Sequence, residues 1–96
     1  MVAFLAIARI IGGEPEDWNE TRIIAVESTE QDARRHIPDG CVPWPERCTN
    51  MCRDCKHCEI QSHNDWNPMR AFSLELWDGT RRESVFEGYF PSDLGA

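Results

Sequence analysis

Four of the chain's five cysteines stand in one short run, Cys48-Thr49-Asn50-Met51-Cys52-Arg53-Asp54-Cys55-Lys56-His57-Cys58, with Cys41 before it and His63 after it. Thiols are soft metal ligands and are easily oxidised, so this density asks for an ion, a cross-link or burial. Three readings fit the spacing. In the first, Cys48, Cys52, Cys55 and Cys58 hold Zn²⁺ tetrahedrally, and Cys41, His57 or His63 can stand in for one of them. Cys-x-x-Cys occurs at Cys52/Cys55 and again at Cys55/Cys58, without the distant second pair that many zinc sites have. In the second, Cys48, Met51, Cys52, Cys55 and Cys58 form the apolar stripe of one helix, with Arg53, Asp54, Lys56 and His57 on its other side. In the third, some of the cysteines pair as disulfides. Geometry separates the first two. A continuous helix rises 1.5 Å per residue and sets Cys48 about 15 Å from Cys58, too far to share an ion with bonds of about 2.3 Å. A four-thiolate site therefore requires a break in that helix.

An Fe–S cluster is the disfavoured variant of the metal reading, because the ferredoxin order of gaps is reversed here and Asp54 replaces the aromatic residue of the radical SAM motif. Glu59 with His63, or His57 with a cysteine, can be written as a base–nucleophile pair. No phosphate-binding glycine loop, nucleophile elbow or HExxH supports catalysis, and the expectation is a protein that is not an enzyme.

Charge bears on the partner. The net charge is −7: residues 1–46 hold nine acids and four bases, residues 47–70 three and four, and residues 71–96 five and two. Acidic surfaces repel phosphate backbones, which disfavours direct nucleic-acid binding and suits a protein with a basic surface. The candidate contacts are Glu14, Glu16, Asp17 and Trp18 in one loop, with Asp78, Glu83 and Glu87 near the last hairpin. Trp18 is the candidate aromatic anchor. An echo, Asp17-Trp18-Asn19-x-x-Arg22 and Asp65-Trp66-Asn67-x-x-Arg70, leads into a strand each time, though the flanking residues do not match.

Ninety-six residues bound the fold to one lean domain, with the cysteine-rich segment at about 41–63 inserted between a first helix and a C-terminal hairpin. Residues 2–11 are nearly all apolar and read as a buried strand; without a basic start or a cleavage site they are not a signal peptide. No stretch is long enough to span a membrane, and a reducing, cytoplasmic setting is expected. Residues 21–27 (TRIIAVE) read as the partner strand, and Ser28 to Gln31 as a capping box with Ser28 as N-cap. Pro38 keeps the helix short, and His36 near its end reads as a cap rather than a ligand. Residues 62–68 read as a polar loop. Residues 70–77 alternate, with Phe72, Leu74 and Leu76 on one face, and Asp78-Gly79 signals a two-residue hairpin. That turn would set Glu75 opposite Arg82, Arg70 opposite Glu87 and Leu74 opposite Glu83. The expected core is Phe4, Ile7, Ile23, Val26, Phe72, Leu74 and Leu76, with Ala33 and Ile37 packing the first helix. The fold class is α+β, a small antiparallel sheet (ββα–cysteine segment–ββ) with one or two short helices on one face.

The strand at 2–11, the strand at 21–27 running straight into Ser28-Thr29-Glu30-Gln31-Asp32-Ala33, and the hairpin at 72–90 together resemble small acidic phage-encoded inhibitors. The likeness is to anti-CRISPR proteins built as a ββαββ sheet-and-helix unit. It covers about two-thirds of the chain and rests on topology and charge. It implies a non-enzymatic binder that occludes a nucleic-acid site on a bacterial effector. The alternative function is a small zinc or Fe–S metalloprotein with a redox or metal-handling role.

Overall fold

A computed structural model describes residues 2–12, 20–45 and 55–94. In chain order the elements are β1 (Ala3–Ile11), β2 (Glu20–Glu27), α1 (Glu30–Arg34), β3 (Val42–Pro43), α2 (Lys56–Trp66), β4 (Met69–Trp77) and β5 (Arg82–Tyr89). A one-turn 3-10 helix, Pro91–Leu94, follows. The strands form a single antiparallel sheet in the order β2-β1-β4-β5-β3. β1 is apolar on both faces because it is hydrogen-bonded on both sides and covered above and below, so Leu5, Ala6 and Ile7 are all buried.

Side chains alternate along a strand, so register assigns each residue to a face. Ala6 lies opposite Leu74 and Ala8 opposite Phe72, which places these four on one face. α1 packs there: Ala33 is fully buried against Ala6, Phe72 and Leu74, with Phe4, Ile37, Cys41 and Phe86 around them. Ile11 lies opposite Met69 and Ala71 opposite Tyr89, on the other face. α2 covers that one with Ile60, which joins Met69 and Tyr89 and is ringed by Ile11, Val42, Trp44 and Leu94. The two helices thus divide between the two faces of the sheet and do not share one face as expected, because both sides of β1 and β4 carry apolar residues that need cover. Each large apolar side chain buried in these clusters contributes about 1.5–3 kcal/mol.

Local chemistry sets the boundaries. Gly12 ends β1 at a φ of +78°, and a Cβ there would collide with both the side chain and the carbonyl of Asn64 in α2. Thr29, not Ser28, caps α1, its Oγ1 accepting from the Asp32 N–H at 3.2 Å. Of the expected loop at 62–68, residues 62–66 are helix instead, because α2 runs to Trp66. The helix was hidden because it buries only Ile60 and Asn64, one turn apart, and is polar elsewhere. His36 does not cap α1; its Nε2 pairs with Glu27 Oε1 at 3.0 Å.

The hairpin register also differs. Four residues, 78–81, connect Trp77 to its partner Arg82, and a bulge at Leu74/Glu75 sets Ser73 opposite Glu87, Glu75 opposite Ser84 and Leu76 opposite Glu83. Arg82 still reaches Glu75 diagonally, at 3.0 Å, whereas Arg70 turns to Asp93 at 2.8 Å. Ile7, Phe72, Leu74 and Ala33 are core as expected, but Ile23 and Val26 are 52% and 62% exposed. Both lie on the face opposite α1, and β2 is the outermost strand on its side.

Candidate functional site

The cysteine segment enters the described structure at Cys55, whose φ of −79° and ψ of 155° are extended. Cys55 is the N-cap of α2; its Sγ accepts from the Cys58 N–H at 3.4 Å, and its carbonyl accepts from the Glu59 N–H at 3.1 Å. The unbroken helical stripe from Cys48 to Cys58 therefore does not exist: the chain leaves helical geometry at Cys55. This is the break a shared ion would require. Cys55 and Cys58 are both half-buried, one at the N-cap and the other in the first turn of α2. Cys48 and Cys52 lie outside the described residues.

The three possible substitutes are scattered. Cys41 packs beside the α1 core, and burial pushes its thiol pKa up. His57 lines a groove with Trp44, Pro45, Gln61, Phe86 and Glu87. His63 sits in the last turn of α2, about 9 Å further along the axis than His57. Among the described residues, no three His, Cys, Asp or Glu side chains converge to hold an ion.

Of the partner-binding candidates, Glu14, Glu16, Asp17 and Trp18 lie outside the described residues. The other three are separated. Asp78 organises the turn, its Oδ1 accepting from the N–H groups of Arg81 at 2.9 Å and Thr80 at 3.2 Å. Those backbone hydrogen bonds hold its carboxyl below the usual carboxylate range. Glu83, opposite Leu76, belongs to the α1 face, and Glu87, opposite Ser73, to the α2 face.

Sequence reasoning missed two other features. Trp66, at the end of α2, is 74% exposed; beside it Asp65 is exposed and held by Gln61 Nε2 at 3.2 Å. The Asp-Trp-Asn echo was the signal that could have found it. Glu75 is a hub, its side chain only 13% exposed, accepting from Trp77 Nε1 at 2.9 Å, Arg82 at 3.0 Å and Arg9 at 3.1 Å. Burial pushes its pKa up, but those donors outweigh the burial and hold it below the ordinary value. Beside it, Arg9 Nε and Ser73 Oγ are buried with no hydrogen-bond partner among the described residues, and both residues line a small cleft with Trp44 and Glu87.

No family model, curated protein or solved structure matches the chain. Among the described residues, no helix is long and apolar enough to cross a membrane.

Proposed function

We propose that this protein is a non-enzymatic protein-binding module that holds a partner with a basic surface. In line with its likeness to anti-CRISPR proteins, that partner is a nucleic-acid-binding effector whose site it blocks. The observation that carries this reading is Trp66, three-quarters exposed beside an exposed Asp65 on a chain of net charge −7. Binding interfaces concentrate their energy in tryptophan, tyrosine and arginine. Acidic surroundings steer a basic partner onto such an anchor and repel free nucleic acid. The sequence echo makes Asp17 and Trp18, with Glu14 and Glu16 near them in the chain, further candidate contacts for the same partner.

The test is affinity capture from lysate with the parent, with Trp66→Ala and with Glu14, Glu16 and Asp17 all changed to lysine. One specific partner should be retained at low salt, released as salt rises, and lost with both variants while their melting temperatures hold. Direct binding of DNA or RNA at physiological salt, or capture indifferent to both variants, contradicts the proposal.

A second reading is supported by the break at Cys55. Zn²⁺ bound by Cys48, Cys52, Cys55 and Cys58 would staple the segment between β3 and α2. Because binding energy at such a site is also folding energy, Cys52→Ser or Cys55→Ser should then lower stability by several kcal/mol. Metal content and melting temperature unchanged in both variants exclude it.

A further inference from the structure

The outer strand β2 reads Glu-Thr-Arg-Ile-Ile-Ala-Val-Glu, eight residues with neither proline nor lysine. Its inner side pairs with β1, and no strand among the described residues pairs with its outer side. Ile23, Ile24 and Val26 are 52%, 46% and 62% exposed. Strands of this kind adhere to other strands unless something blocks them.

The bulge in β2 determines what kind of strand fits. Ala6 lies opposite Ala25 and Ile7 opposite Ile23, so Ile24 is the extra residue. Without it, Arg22 and Glu27, five positions apart, would point to opposite faces. With it, Arg22 (opposite Ala8) and Glu27 (opposite Phe4) share the α1 face, while Ile23 (opposite Ile7) and Val26 (opposite Leu5) share the other.

We infer that β2 pairs antiparallel with β2 of a second copy of this chain, about a twofold axis normal to the sheet that passes between Ile24 and Ala25. In that register Arg22 lies opposite Glu27 of the second copy, and Ile23 opposite Val26. Symmetry repeats these two pairs, and both match in face and in chemistry, with Ile24 and Ala25 beside the axis. The two sheets become one, the exposed isoleucines and valines cover each other, and the open backbone edge is closed. Arg22 is exposed and takes part in none of the ion pairs among the described residues, so it is available for this contact. Among the described residues, the ion pair of Glu27 is with His36. An isologous contact of this kind stops at two copies, which is why an open edge need not lead to fibres.

Sedimentation velocity and light scattering on the full chain, from micromolar to millimolar, test this assignment. The parent should show a concentration-dependent dimer and nothing larger. Arg22→Glu sets four acidic side chains against one another and should raise the dimer dissociation constant by about tenfold or more, with an unchanged melting curve in dilute solution. Adding Glu27→Arg to it restores the opposite-charge pairs, and with them the dimer. Val26→Lys, at a position exposed in the monomer, should abolish the dimer on its own. A monomer at every concentration, an open-ended polymer, or a dimer indifferent to both Arg22→Glu and Val26→Lys would overturn the assignment. None of these positions belongs to the surface assigned to the basic partner, so loss of self-pairing and loss of partner capture are read separately.

Discussion

At one margin of the sheet, β3 contributes only Val42 and Pro43, and the chain is tied down at once by the Trp44 N–H on the Glu87 carbonyl at 2.8 Å and by the Trp44 ring on Tyr89 at 5.3 Å. At the other margin, β2 runs for eight residues with its apolar side chains in solvent. Proline cannot donate to a neighbouring strand, so the first margin rejects additions, whereas the second is built from residues that favour them. The difference is energetic as well as geometric. Closing the β3 margin uses core packing under α2, so it is bound up with folding itself. The β2 margin adds little to the folded monomer and is free to serve association.

Mutations should therefore be costly on one side and nearly silent on the other. Tyr89→Ala removes a buried ring shared by Ile60, Met69 and Trp44 and should destabilise by about 3 kcal/mol or more in urea unfolding. A loss below 1 kcal/mol would mean that the β3 margin is only draped on the sheet. Gly88→Ala comes next. Its Cβ would meet Cys41 Sγ at 2.6 Å and the Phe86 ring at 2.9 Å, and overpacking of that kind costs about 1–3 kcal/mol.

The ion pair that fixes the last turn to β4 is smaller and depends on pH. Arg70 approaches Asp93 at 2.8 Å through Nη2, and its backbone N–H also donates to that carboxylate at 2.9 Å. The side-chain hydrogen bond from Arg70, helped by the backbone one, holds the Asp93 carboxyl below its usual range despite partial burial. Such a group stabilises fully above its unfolded pKa of about 4, and the contribution fades as pH falls through the lower folded value. Asp93→Asn should cost about 0.5–1 kcal/mol at pH 7, a gap to the parent that closes in acid. A gap that persists at pH 2 would show that the residue acts through packing. The smallest effect belongs to β2: Ile23→Thr and Val26→Thr should each change monomer stability by less than about 0.5 kcal/mol in dilute solution. A larger loss would mean that these side chains are covered in the folded monomer, and the contrast between margins would disappear.

β1, β2 and β4 were legible because each carries a local signature: the apolar run of β1, the β-branched β2 and the alternation of β4; the two-residue β3 was not. What sequence could not supply was long-range information. Ile23 and Val26 look like core residues until the strand order places them outermost, and the bulges at Ala6/Ile7 and Leu74/Glu75 shift register without any glycine to mark them. α2 escaped because an apolar stripe of Ile60 and little else gives almost no periodic signal. For the candidate site, the spacing left a continuous helix and a broken one both open, and the N-cap at Cys55 decides between them; one-dimensional charge counts could not show that Glu83 and Glu87 occupy opposite faces.

The central pairing of β1 with β4 has a temporal consequence. Ala3 meets Trp77, so β1 bonds to a strand synthesised long after it. At typical synthesis rates β1 waits on the order of ten seconds for that neighbour, with only β2 at hand, and an isolated two-stranded ribbon is marginal in water. The nascent chain thus passes through an interval in which its most apolar segment is half-paired and open to chaperones, proteases and other nascent copies. Yield in the cell should respond to translation speed and chaperone supply more sharply than the finished protein's stability would suggest.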